Sequence, residues 1–199
     1  MIDWIDLTHP LNADTWIYQG AKYSDPDFAA ERWANIEDDG YEVWRLSVGT
    51  QMGTHIDAPS HFVRGAATMD DFLTLDCIGT FRLVMAEALS SADWGIDWES
   101  HSHLLLDARK NDVALPHNIE AFLALPVKTI VMAGGLRVDH DDPHWFHRRL
   151  AEVGKFLVEE LCVPDDFKFG QFGQIATLPL PLTGLSGSPT RVLLSTSVE

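Results

Sequence analysis

Between positions 51 and 61 the chain reads Gln51-Met52-Gly53-Thr54-His55-Ile56-Asp57-Ala58-Pro59-Ser60-His61. No other stretch restricts the fold so tightly. Its odd positions carry an amide, two imidazoles and a carboxylate, and in an extended strand alternate side chains share a face. Such nitrogen and oxygen donors suit a divalent transition ion such as Zn or Mn. A straight strand would hold Gln51 and Asp57 about 20 Å apart, too far for one ion. The chain must therefore turn inside the run. Gly53 permits this through positive φ or close backbone approach, and Pro59 fits poorly in a central strand. The expectation is a strand end entering a tight loop, with His55 and Asp57 as metal ligands. For any one of these residues alone, a satisfied polar group near a strand end is the ordinary alternative.

The rest of the chain supplies the scaffold. At 199 residues and 46% apolar content it can build one domain, residues 1–199, around a sizeable core. The net charge of −16 argues against nucleic acid and against an anionic membrane surface as partners. No segment has the roughly 20 apolar residues needed to span a bilayer. Cys77 and Cys162 do not make a disulfide framework and read as buried thiols. The opening Met-Ile-Asp-Trp-Ile-Asp lacks a basic stretch and a long apolar run, so no export signal is expected and the cytoplasm is the default location.

Strands are expected at Ile2–Leu7, Tyr41–Val48, Thr80–Ala86, Leu104–Asp107, Val127–Met132 and Val192–Leu194. A short helix is expected over Asp27–Ile36, a helical turn or loop over Thr68–Leu75, and a helix from Pro116 to near Leu125. Many strands and few helices suggest a mixed, strand-rich α/β or α+β domain.

The segment from position 51 also resembles a family signature, H-x-G-T-H-x-D-x-P-x-H, preserved here from Gly53 to His61. The family is the cyclase superfamily, which includes kynurenine formamidases and isatin hydrolases. Ile5-Asp6-Leu7-Thr8-His9-Pro10-Leu11 resembles its opening strand. Leu178-Pro179-Leu180 and Gly187-Ser188-Pro189-Thr190-Arg191-Val192 resemble its closing one. His147 and Glu159 match its second ligand pair in separation. The resemblance implies a swivelling β/β/α architecture, dimers or tetramers, and one or two divalent ions (Mn or Zn). It implies that His55 and Asp57 bind a first ion and that Asp57, His147 and Glu159 bind a second. His61 would be the catalytic acid/base. The departure is Gln51, which stands where the family's first histidine ligand sits. An amide oxygen is a harder ligand than imidazole and favours Mn or Mg over Zn.

An unbroken helix would put His147 and Glu159 about 18 Å apart and on different faces. They can share an ion only if the helix stops near Gly154 and the chain doubles back. Asp142 then reads as the N-cap, Pro143 as the first helical residue, and Phe146, Leu150 and Val153 as the buried face. Phe156-Leu157-Val158 would be a strand delivering Glu159. The alternative is a continuous amphipathic helix from Asp142 to Cys162, with Glu159 solvated.

Other candidates weigh less. Trp16, Tyr18, Phe62 and Trp145 could line an aromatic pocket, with Trp16 and Phe62 chosen as substrate-binding residues. Arg64 and Arg191 could meet an anionic substrate or form internal ion pairs. His101, His103 and His117 read as surface or packing residues, and His140 and His144 lie in an acidic stretch that also suits a helix N-terminus. Ser186-Gly187-Ser188 lacks the context of a nucleophile.

The function expected is a metal-dependent hydrolase of a small-molecule amide or lactam, working through metal-activated water with His61 moving the proton. Alternatives are an ester or lactone hydrolase, a ring-closing enzyme, and a catalytically silent binding protein whose metal site Gln51 has degraded.

Overall fold

The computed structural model describes residues 3–20, 23–90, 97–110 and 113–195. The strands are β1 (Ile5–Asp6), β2 (Ala29–Ala34), β3 (Val43–Ser47), β4 (His55–Asp57), β5 (Ile78–Met85), β6 (His103–Ala108), β7 (Val113–Ala114), β8 (Thr129–Gly134), β9 (Arg137–Val138), β10 (Phe156–Glu159), β11 (Phe172–Pro179) and β12 (Gly187–Ser195). The α-helices are α1 (Ile36–Asp39), α2 (Thr74–Cys77), α3 (Pro116–Leu123) and α4 (Trp145–Glu152).

The main sheet runs β1-β12-β11-β5-β6-β8-β10-β4, and β4 also pairs with β12. The sheet therefore closes on itself, with the three-residue strand His55–Asp57 as the closing stave. β5, β6, β8 and β10 lie parallel, and the other pairings of this sheet are antiparallel. Parallel neighbours need long crossovers; α3 lies between β6 and β8, and α4 between β8 and β10. Two apolar clusters follow from the alternation along the strands. Phe81, Leu83, Leu105, Val131, Val158, Ile175, Val192 and Leu194 fill one face. Leu104, Leu106, Ile130, Met132 and Leu157 pack on the other with Phe122, Phe146 and Leu150 from the two helices. This explains why β6 and β8 read as continuous apolar runs: both their faces are covered. The mixed, strand-rich α/β class expected from the sequence is the class found.

Four expectations need correction. The short helix expected over Asp27–Ile36 is a strand instead: β2 occupies most of the segment and pairs antiparallel with β3, and α1 begins only at Ile36. Arg32 lies 5.1 Å from the Trp44 ring and Arg45 lies 4.1 Å from that of Trp33, so cross-strand cation–π pairs override the helical propensity of Ala, Glu and Arg. Helix α4 starts at Trp145, not at Pro143, because Asp142 is spent on a turn and on Arg148. Val153, expected on its buried face, is exposed. Both cysteines are free, but only partly buried. Elsewhere the expected strands fall within a few residues of those found, except that Ile2 lies outside the described residues. The eight-residue β11 is not among the expected strands; it pairs antiparallel with both β12 and β5.

Candidate metal centre

The register of the closing strand assembles the centre. Glu159 of β10 stands opposite His55, and Leu157 opposite Asp57. On the other edge Pro189 and Gly187 of β12 stand opposite the same two residues. Directly opposed residues of an antiparallel pair point to one face with Cβ atoms about 5 Å apart. His55, Asp57 and Glu159 therefore emerge together on the face that α4 covers, while Ile56 and Val158 enter the opposite cluster.

His55 is buried and oriented. Its Nδ1 lies 2.8 Å from the carbonyl oxygen of Gly53, which only a protonated Nδ1 can satisfy. In the neutral ring this leaves the lone pair on Nε2, 3.4 Å from Glu159 Oε1 and 3.7 Å from Asp57 Oδ1. Ligand atoms of His55, Asp57 and Glu159 all lie within 4.8 Å of one another. An ion held tetrahedrally at about 2.1 Å sets neighbouring donors about 3.4 Å apart. The spacing and the imidazole–carboxylate chemistry both fit a divalent cation.

The break near Gly154 exists. Helix α4 ends at Glu152, Gly154 takes φ 75°, and β10 begins at Phe156. The chain doubles back, and His147 Nε2 comes to 3.2 Å from Glu159 Oε2. The Glu159 carboxylate thus lies between two imidazoles, one oxygen toward each. His147 Nδ1 is buried without a partner.

Electrostatics matches this arrangement. Burial opposes charge on His55, but the Glu159 hydrogen bond and the charges of Asp57 and Glu159 outweigh it and push its pKa up to about 9. His147 follows the same logic: burial lowers it, the charge and hydrogen bond of Glu159 together with the charge of Asp57 outweigh this, and the net is upward. Burial also raises Glu159, yet the charge and hydrogen bond of His147 and the contact with His55 take it well below the usual carboxylate range. Asp57 is raised, first by burial, with Glu159 adding to the effect and the imidazoles of His55, His61 and His147 opposing it. The cluster draws positive charge into a buried site.

Gln51 is brought to the centre, as the turn at Gly53 (φ 58°) allows. It presents nitrogen, not oxygen: Nε2 donates to Asp57 Oδ1 at 3.2 Å, and Oε1 accepts from the Thr50 hydroxyl. His61 ends the short 3-10 turn Pro59–His61 that α4 packs against, and its exposed ring stands edge-on to Phe62 at 4.5 Å. Phe62 also lies 5.5 Å from His147 and 5.9 Å from His144. Trp16 is elsewhere, on a cavity of about 350 Å³ shared with His9, Asp14, Gly53 and Glu160. His140 stacks on Trp145, and Arg191 pairs with Asp6. Ser188 is buried, donating to its neighbour Pro189 and accepting from Leu180, which suits a structural residue. His103 is fully buried between Ser102 and Thr177.

Two residues escaped sequence reasoning. Thr54 accepts from His9 N and donates to Glu160 O, tying the loop to the N-terminal segment and to the end of β10. Gly187 lets β12 pass beside Gln51; a Cβ there would collide with Gln51 Nε2 and lie 2.8 Å from Ile56 O. A glycine inside a strand is the usual signal of such close approach.

Comparison with known proteins follows this geometry. The chain is 28% identical to a kynurenine formamidase of Bacillus cereus over 96% of its own length and 97% of that protein's. It is 26% identical to one of Geobacillus thermodenitrificans, with 98% of each covered. Among solved structures, isatin hydrolase A from Labrenzia aggregata superposes with a TM-score of 0.74 at 19% identity, covering 99% of this chain and 94% of that one. A potential metal-dependent hydrolase with cyclase activity gives 0.71 at 20% identity, with both chains fully covered. These two establish likeness of fold. The family model described as "Putative cyclase" matches residues 5–132, more than half of the sequence and the whole of the 51–61 run, and the chain belongs to that family.

Proposed function

We propose that this protein is a divalent-metal-dependent hydrolase that cleaves the C–N bond of a small-molecule amide or lactam. One observation carries the reading: donors from residues about a hundred positions apart converge on one buried point, with His55 Nε2 at 3.4 Å from Glu159 and 3.7 Å from Asp57. The similarity to kynurenine formamidases over nearly the whole chain supports the bond type. His55, Asp57 and Glu159 would hold the ion, with His147 against the second oxygen of Glu159. A bound divalent ion of this class polarises a carbonyl and lowers the pKa of water to about 7.

The chain's own residues do the remainder. Gly53 O fixes the tautomer of His55 and so keeps Nε2 aimed inward. His61 stands at the exposed mouth, where an imidazole can pass a proton to the leaving nitrogen. Phe62, packed over His61 and His147, offers an aromatic wall and shields the centre from bulk water. Trp16 offers a second aromatic surface on the cavity that borders Gly53. The working form is a homo-oligomer. The β2–β3 arm supports this, because Trp33, Trp44 and Leu46 are exposed on a two-stranded ribbon with little core of its own.

The test is metal analysis of the purified protein combined with assays on the formamide of kynurenine and on isatin. One or more equivalents of Mn or Zn, with turnover of either compound that a chelator abolishes, is the expected result. Turnover of either compound that persists after complete metal removal would refute the reading.

A further inference from the structure

Position 51 decides what kind of centre this is, and its head group has a readable orientation. An ionised carboxylate, the form that binds a cation, can only accept hydrogen bonds. The side of the Gln51 amide that faces Asp57 Oδ1 at 3.2 Å is accordingly its NH2, and the oxygen is held by the Thr50 hydroxyl. The nitrogen lone pair of an amide is delocalised into the carbonyl and unavailable to a cation. The one atom of Gln51 able to ligate an ion is turned away from the cluster. The strand beside it permits this placement, since a Cβ at position 187 would collide with the Gln51 head group.

Two ions, even with the Asp57 carboxylate shared between them, would require a second convergence of donors beside the first. Among the described residues, one group of three converges closely enough: His55, Asp57 and Glu159. The remaining imidazole, His147, engages the other oxygen of Glu159. Resting on the metal-dependent reading above, we propose that Gln51 is a hydrogen-bond donor to the ligand carboxylate of Asp57 rather than a ligand, and that the centre holds a single divalent ion on His55, Asp57 and Glu159. Gln51 is then a positioning residue. It fixes the rotamer of Asp57 and so supports the affinity of the site, and it leaves that side without a second nitrogen ligand.

The experiment uses the full chain, stripped with chelator and titrated with Mn(II) alone, followed by calorimetry and electron paramagnetic resonance. The wild type should take one equivalent and give the spectrum of an isolated ion. Gln51→Leu should still take one equivalent with unchanged ligand-nitrogen couplings, but bind about 10-fold more weakly, the usual effect of removing a group that orients a ligand. Gln51→His should add an imidazole nitrogen coupling and tighten binding. Two equivalents in the wild type, or an exchange-coupled spectrum, would overturn the single-ion proposal while leaving a metal-dependent hydrolase standing; this needs no variant to fold. Gain of a metal-bound water in Gln51→Leu, seen as new exchangeable water-proton couplings, would show that Gln51 ligates, and would overturn its role as a donor. A wild type that binds no Mn(II) would overturn the metal-dependent reading and this one together.

Discussion

At the scale of single residues, the centre separates ion binding from proton movement. Asp57 is within reach of the ion position and His61 is not among the converging donors. Asp57→Asn should therefore lose the ion, read as metal content after gel filtration; a full complement in that variant would remove Asp57 from the ligand set. His61→Ala should keep the ion and lose turnover by about 10²- to 10⁴-fold, the range for a positioned acid/base, and an unchanged rate would remove His61 from the chemistry. A third residue bears on stability. Burial holds His103 down to about pKa 4, against an unfolded value of 6.5, with Asp76 opposing weakly. A folded pKa below the unfolded one means that the unfolded chain takes the proton first. The stabilising contribution of neutral His103 is complete above pH 6.5 and is lost as pH falls toward 4, by up to about 3 kcal/mol. Urea midpoints at pH 7 and pH 4.5 should show a smaller drop for His103→Gln, which cannot titrate, than for the wild type. Equal drops would mean that His103 does not contribute.

At the scale of elements, two glycines with positive φ allow a clean contrast. Gly53, at φ 58°, has Leu11 Cδ2 only 2.8 Å from where a Cβ would stand, and its carbonyl orients His55. Gly154, at φ 75°, faces open space. Both alanine variants should be destabilised by about 1–2 kcal/mol, the cost of an L-residue in the left-handed region, or several degrees of Tm in a chain this size. Only Gly53→Ala should also weaken ion binding. Equal ion affinity in the two variants would show that the Gly53 carbonyl does not hold the imidazole. The turn at Gly53 and the end of α4 before Gly154 were legible in the sequence for this reason: a backbone that must reverse needs a residue able to do so. The β2 strand was not legible. Ala29–Ala34 has a helical composition, and only the facing Trp44 and Arg45 of β3 make it extended.

At the scale of the whole molecule, the β2–β3 arm leaves its aromatics exposed, and a monomer of net charge −16 has no evident use for them. Replacing Trp33 and Trp44 together by serine should shift the protein toward monomer in light scattering, with the main sheet retained because neither residue supports it. An unchanged mass would place the interface elsewhere. No helix among the described residues is long and apolar enough to cross a membrane. Taken by itself, the sequence determined the kinds of donor, the two segments that carry them and the reversals that make meeting feasible, because these follow from side-chain chemistry and local backbone freedom. Tertiary structure decided the pairing of His55 with Glu159, the place of Gly187 beside Gln51 and the direction of that amide. Those depend on which strands lie side by side and in what register, a choice set by burial across the closed sheet and not by any residue's neighbours in the chain.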